Sequence, residues 1–419
     1  MPLPDSLWAQ TASRAPRIGP VSENISADVL VIGGGYTGLS TGLHLAQKGT
    51  EVVVLEADEV GFGGSGRNMG QVNTGFKVLP DNVERRVGRT LGERMNHTFA
   101  RAADLVFDLI DEYQIDCDAK RNGNIFLAHN QRSIALIEAY QEQHRKWGGD
   151  VRWLNREAVR SALGSPRYIA GVLDARCGTL QPLSYARGLA RTAQACGARV
   201  YSRSRVAMMK PGHRDWTATT DGNHSVEATK VVIATDAYSD ELLPGLNRTL
   251  IPVTVQQVAT TPLGENVGRT ILDGGHGTSD RMHFTHYFCK DRDGRLLMVT
   301  GGGKPPSVAL MKHYFPQLGN IAFEYQWSGM VGLSPTQLPR LHRPAPDLIA
   351  VMGYSGRGLT TATMIGKLLA QHLTGELEER DLPLPMVSLQ PHAAHRLKTI
   401  AMSGTIGAAR WLDALGFGW

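Results

Sequence analysis

Residues 28–57 read DVLVIGGGYTGLSTGLHLAQKGTEVVVLEA, and the order of apolar runs and glycines in that stretch decides the fold. Residues 29–32 are a short, continuous apolar run that predicts a buried strand. A glycine turn follows, then a helix with Leu39, Gly42, Leu43 and Ala46 on one face and Gly49 as its stop. Residues 52–55 predict a second buried strand, so the stretch is a βαβ unit. Within it, Gly33-x-Gly35-x-x-Gly38 is followed by Glu56 at the end of the second strand. Gly33 permits the tight turn, Gly35 lets a pyrophosphate approach the backbone, and Gly38 lets the helix pack on the strand. The helix N-terminus offers free N–H groups to phosphates, and Glu56 can accept hydrogen bonds from ribose hydroxyls. A glycine motif alone is weak, but with strand, helix, second strand and acid all in place it points to a dinucleotide.

Outward from this unit, residues 1–26 form a polar arm with Trp8 as its one large apolar anchor. A helix is predicted over 92–113 from Met95, Phe99, Ala102, Val106, Leu109 and Tyr113, and another over 131–147. β-rich runs around 121–128 and from 250 to 303 alternate with turns such as Asp293-Gly294. A helix over 184–196 leads into strands over 198–207 and 230–234. Near the end come a strand over 348–352, a glycine loop over 353–358 and a helix over 360–373 stopped by Gly375. The expected fold is α/β plus α+β: a discontinuous Rossmann-type domain with an inserted β-sheet substrate domain. Its parts are an arm (1–26), the dinucleotide domain (27–80, 150–240 and 340–375), the substrate domain (81–149 and 241–339) and a helical tail (376–419).

The bulk properties suit such a chain. Its 419 residues suggest two or three folding units, and 42% hydrophobic with 20% charged residues is ordinary for a globular core. The formal charge is only +5, with no long basic run, which argues against nucleic acid. Cys117, Cys177, Cys196 and Cys289 lack metal-ligand spacing and read as reduced thiols. Neither a signal peptide nor an apolar run long enough to span a bilayer is evident, so a cytoplasmic protein, at most peripheral to a membrane, is expected.

Two further glycine loops favour a flavin over a nicotinamide. GFGGSGRNMGQ at 61–71 directly follows the acidic residue, and its Ser65, Gly66 and following N–H groups can reach a pyrophosphate and the flavin side. GYSGRGLTT at 353–361 opens a helix, and a helix N-terminus stabilises the negative charge of a reduced flavin at its N1–C2=O edge. The stretch 28–57, GFGGSGRN, YQIDCD at 113–118, WSG at 327–329 and GYSGRGLTTATMIGKLLA at 353–370 together resemble the D-amino-acid-oxidase superfamily of FAD-dependent oxidoreductases. Within it they resemble the branch of the gamma-glutamylputrescine and bacterial L-pipecolate oxidases. The resemblance implies FAD-dependent oxidation of a carbon–nitrogen bond in a small amine or an amino or imino acid, with electrons passing to oxygen or a membrane acceptor. It places Gly33, Gly35, Tyr36, Thr37, Gly38 and Glu56 on the ADP half, and Gly64, Ser65, Gly66, Arg67 and Asn68 by the pyrophosphate and flavin. Val206 would meet the adenine, Thr235 and Tyr238 would stand on the second dinucleotide-side strand, and Gly356, Gly358 and Thr360 would face the flavin's pyrimidine edge. Two departures stand out. Asp236 replaces a common glycine, and no cysteine lies after 289, so noncovalent FAD is expected. The alternatives are an NAD(P)H-using flavin monooxygenase, for which a second dinucleotide motif is missing, a tRNA-modifying flavoprotein, and a non-catalytic flavin-binding protein.

The substrate side is less defined. His283 and His286 would point to opposite faces of a strand, which argues against a metal, though one of them could line a cavity. Tyr287 could close that cavity or belong to the core. Arg67, Arg340 and Arg343 are the candidate cations for a substrate carboxylate. No catalytic base is evident. In the tail, Leu397, Ile400, Gly404, Ala408, Trp411 and Leu415 form a stripe that suits packing on the body or contact with a membrane surface.

Overall fold

The apolar run at 29–32 is the inner half of the strand Ile25–Ile32, buried on both faces as the centre of a parallel sheet must be. Its neighbours are Val52–Leu55 and Ser225–Ile233, both parallel to it. Arg199–Tyr201 and Leu348–Met352 extend the parallel set on either side. Arg340–Ala345 and Met386–Val387 close one edge, while Trp216–Thr220 pairs antiparallel with Ser225–Ile233 and Val206–Pro211 antiparallel with Trp216–Thr220. The helices Tyr36–Ala46, Pro182–Ala195 and Gly358–Leu373 bury one apolar layer together with this sheet. The computed structural model describes residues 2–402 apart from 213–214, 281–284, 302–303, 394, 396 and 398.

A second sheet of eight strands stands beside the first. Its order is Phe323–Leu333, Ile251–Thr260, Leu296–Gly301, Tyr287–Lys290, Gly277–Asp280, Asn124–Ala128, Ala170–Asp174 and Val151–Leu154. All pairs are antiparallel except Gly277–Asp280 with Asn124–Ala128. Residues 151–174, expected beside the dinucleotide unit, thus give their strands to this second sheet.

Local differences from the expected elements have simple causes. The predicted helix over 92–113 is two helices, Arg89–Ala100 and Ala102–Glu112. At Arg101 the backbone (φ −96°, ψ 4°) closes one and opens the next, and a burial stripe does not register a one-residue break. The predicted strand over 198–207 stops at Tyr201 and resumes at Val206. Between them Ser204 N–H donates to the Glu56 carbonyl at 2.9 Å and Arg203 N–H to that of Asp58 at 2.7 Å, carrying the chain around the end of the Val52–Leu55 strand.

The arm is anchored by more than Trp8. Ser6 caps the turn of helix Leu7–Thr11, and Leu7 is as buried as Trp8. Trp8 Nε1 donates to the Asn68 carbonyl at 2.8 Å, and its ring meets Trp327 edge-on, with centroids 6.1 Å apart. In the tail, Leu397 and Ile400 are 68% and 69% exposed, so they do not pack on the body. Gly404, Ala408, Trp411 and Leu415 lie outside the described residues. Among the described residues no helix is long and apolar enough to cross a membrane.

Candidate active site

The glycine turn has the geometry its residues require. Gly33 sits at φ +114°, and a Cβ there would stand 2.8 Å from the Ala234 carbonyl oxygen. Gly38 is tighter still. A Cβ would fall 1.9 Å from the Gly33 carbonyl oxygen, so only glycine lets the helix Tyr36–Ala46 lie on its strand. Glu56 accepts from Gly34 N–H at 2.7 Å and Asp58 N–H at 3.0 Å. Burial raises its pKa against the opposing pull of these donors.

The loop after Glu56 is tied to the helix N-terminus by side chains expected to face a cofactor. Tyr36 N–H donates to Ser65 Oγ at 3.0 Å, and Tyr36 OH donates to the Ser65 carbonyl at 2.6 Å. Asn68 Nδ2 reaches the Ser65 carbonyl at 2.9 Å, while its Oδ1 receives Gly70 N–H at 2.8 Å. Arg67 Nε donates to the Phe62 carbonyl at 2.7 Å, and the guanidinium lies 4.5 Å from the Phe62 ring centroid. Tyr238 OH receives Met330 N–H at 3.1 Å, and its ring stands against Gly63. Thr360 Oγ1 donates to the Asn73 carbonyl at 2.7 Å, seating the start of helix Gly358–Leu373 on the segment after that loop.

Asp236 explains its own departure from glycine. Its φ of +41° is the left-handed conformation that a glycine would adopt freely and that aspartate tolerates better than most residues. The carboxylate uses the position, receiving Gly353 N–H at 2.7 Å and so linking the 234–239 turn to the 353–358 loop. Burial pushes its pKa up to about 6, against the N–H donors of Gly353, Ala237 and Tyr354.

These elements enclose a cavity of about 930 Å³ that runs from Glu56 and Val206, past the glycine turn, to one face of the second sheet. This is at the upper end of the roughly 300–1,000 Å³ usual for ligand sites. Every residue expected on the cofactor lines it except Gly38 and Gly66, which shape its wall from behind. The far wall is set by strand register. Phe126, Ser279, Tyr287, Val299, Gln257 and Trp327 are paired in a row across five strand interfaces and so share one face of the sheet. Tyr287, Val299 and Gln257 of that row line the cavity.

The expected substrate residues separate. Arg67 and Tyr287 are at the cavity. His286 is not: it is on the opposite face of its strand, buried, with its Nδ1 3.1 Å from Asp280 Oδ2 and 3.1 Å from the Tyr314 hydroxyl. Period-two alternation sends His286 away whenever Tyr287 faces in. His283 lies outside the described residues. Arg343 pairs with Glu379 at 2.7 Å on the surface. Arg340 is equally remote, beside a separate hollow formed with His342, Pro391 and His392. Among the described residues no cluster of His, Cys, Asp or Glu could hold a metal ion. The cavity adds residues the sequence did not single out: Gln71, Asn73, Gln257 and Arg357. Gln71 and Arg357 stand inside the two glycine loops already quoted, where the glycines drew the attention. Gln257 carried no local signal.

A glycine-turn βαβ unit ending in a half-buried acid, with its cavity closed by a separate, largely antiparallel sheet, defines a dinucleotide-dependent enzyme with a substrate domain over the cofactor. The chain belongs to the FAD dependent oxidoreductase family, whose family model matches residues 28–372. It is 32% identical over 387 residues to the gamma-glutamylputrescine oxidoreductase of Escherichia coli (strain K12), covering 90% of this chain and 90% of that protein. Glycine oxidase from Geobacillus kaustophilus has the same fold, with a TM-score of 0.72 at 21% identity over 88% of this chain and 100% of the other. L-proline dehydrogenase from P. horikoshii matches with a TM-score of 0.70 at 20% identity, over 86% and 96% of the two chains. The protein is therefore an FAD-dependent oxidoreductase. The glycine cradle and the half-buried Glu56 carboxylate fit the ADP half of that cofactor.

Proposed function

We propose that the protein oxidises a carbon–nitrogen bond in a small amine or an amino or imino acid. Gamma-glutamyl-polyamines and cyclic imino acids such as L-pipecolate come first, with electrons passing on to oxygen or a membrane acceptor. The observation that carries this reading is the extended similarity to an amine-oxidising relative, together with a cavity that joins the dinucleotide cradle to the second sheet. When bound, FAD supplies the two-electron acceptor for the hydride equivalent lost from the carbon beside nitrogen, and water then hydrolyses the C=N product.

The protein's own groups position and desolvate. Glu56 would hold the ribose hydroxyls, and Ser65, Gly356, Gly358 and Thr360 would frame the pyrophosphate and flavin. The row Tyr287, Val299 and Gln257, which lines the cavity, would cover the reacting carbon and exclude water, with Tyr287 its one ionisable side chain. The amine therefore has to arrive with its nitrogen lone pair free. FAD is held noncovalently, since no cysteine is among the described residues that line the cavity. Four unpaired cysteines suit a reducing cytoplasm.

Anaerobic mixing with a panel of amines, amino acids, alcohols and hydroxy acids, followed by flavin absorbance, tests the reading. Bleaching by an amine or amino acid is expected. Bleaching by an alcohol or hydroxy acid alone would overturn the carbon–nitrogen assignment and leave the FAD-binding fold standing.

A further inference from the structure

Among the described residues, four side-chain atoms at the cavity are buried without a hydrogen-bond partner: Arg357 Nη1, Gln71 Oε1, Gln257 Oε1 and Thr300 Oγ1. The orientation of both amides is fixed by their other ends. Gln71 Nε2 donates to the carbonyls of Thr278 at 3.0 Å and Phe288 at 3.3 Å, and Gln257 Nε2 donates to the carbonyl of Arg67. Their bare oxygens are therefore acceptors that the protein leaves unused.

Arg357 is the cation of the set. It is the residue before helix Gly358–Leu373, and its guanidinium carbon stands 5.9 Å from the Phe126 ring centroid, at one end of the row on the second sheet. The buried carboxylate on that side is already engaged. Asp174 takes Arg176 at 2.6 Å, Tyr140 at 3.0 Å and Thr74 at 3.2 Å. Burial works to raise the Asp174 pKa, but Arg176 and Tyr140 draw it below its ordinary value. A half-buried guanidinium with an unpartnered N–H and, among the described residues, no carboxylate of its own is costly unless an anion reaches it. Arg67, by contrast, spends its Nε on the Phe62 carbonyl and its face on the Phe62 ring.

We infer that Arg357 receives the carboxylate of the substrate while Gln71 Oε1 takes an N–H of its amine, so the site selects amino or imino acids over uncharged amines. The inference rests on the carbon–nitrogen reading above and narrows it. The amine must be neutral to react and keeps N–H donors that match an amide oxygen, and the guanidinium fork matches a carboxylate.

The test uses the FAD-loaded protein with two probes. L-Pipecolate and piperidine differ only by the carboxylate, and the ratio of their flavin-reduction efficiencies measures its recognition. Arg357→Met should lower that ratio by roughly thirtyfold or more, the usual loss when a charge is left without its buried partner. Arg357→Lys, which keeps charge without the fork, should fall between. Arg343→Met, at a surface ion pair, should leave the ratio as in wild type. Cyclohexanecarboxylate, which cannot be oxidised at nitrogen, gives a readout independent of turnover. Its calorimetric binding should weaken in Arg357→Met by a similar factor. Unchanged carboxylate binding and an unchanged ratio would overturn the inference while leaving the carbon–nitrogen reading intact. So would an Arg357→Met protein that loses FAD but, resaturated with it, discriminates as wild type does. If neither probe bleaches the wild-type flavin and an alcohol does, the function fails separately, and cyclohexanecarboxylate binding still decides the role of Arg357.

Discussion

Replacing Asp236 by asparagine removes a charge from the junction of the 234–239 turn and the 353–358 loop while keeping an acceptor for Gly353 N–H. Asparagine also tolerates the positive φ of this position. A carboxylate at about 3.9 in the unfolded chain and about 6 in the fold binds its proton more tightly when folded. Folding stability from this group is therefore fully present below about pH 4, declines as pH rises, and is lost above about pH 6. The separation of about two pKa units corresponds to about 3 kcal/mol by pH 8, of which roughly half has accrued at pH 5. Asp236 is half-buried, so screening reduces the working figure to about 1–2 kcal/mol. At about 2.1 cal/mol/K of unfolding entropy per residue, that is a rise in Tm of about 1–2 °C at pH 8 for a chain of 419 residues. The gain should be about half as large at pH 5. Thermal scans of wild type and Asp236→Asn, stripped of FAD, from pH 5 to 8 would read it. A Tm difference that stays flat across that range, or that moves against the variant as pH rises, would refute the argument that burial strains this carboxylate.

Other expectations are simpler. Glu56→Ala should weaken FAD retention by about 1.5–3 kcal/mol, through loss of a charged hydrogen-bond acceptor for the ribose, and equilibrium dialysis against FAD measures this directly. Turnover with FAD saturating should change little, and a large residual loss would give Glu56 a second role. Gly38→Ala forces the helix off its strand, because the new methyl would overlap the Gly33 carbonyl. Overpacking of this kind costs about 1–3 kcal/mol or more and should appear as lost FAD together with a lower Tm. Acid or heat should release free FAD from the polypeptide, and yellow colour that stays with the precipitate would contradict noncovalent binding.

How much of this was legible in the chain follows from the range of each interaction. The βαβ unit could be read because its parts are neighbours. Gly33, Gly35, Gly38 and Glu56 fall within two dozen residues, and each answers a local steric or hydrogen-bonding demand. Trp8 could be read as an anchor, but its partners Asn68 and Trp327 could not, being 60 and 319 positions away. The same distance hid the substrate wall. Phe126, Tyr287, Val299 and Gln257 come from strands far apart in sequence, and a one-residue change of register would turn each to the other face. That alternation alone put Tyr287 at the cavity and His286 behind it. Among the arginines the sequence offered charge without an address. Tertiary structure gave Arg343 a surface carboxylate and Arg67 a carbonyl and an aromatic face, and it left Arg357 half-buried at the cavity with an N–H unspent. Local sequence could specify the cofactor's cradle because each contact there closes within one supersecondary unit. The substrate's surroundings depend on which distant backbones meet, and only the folded chain brings them together.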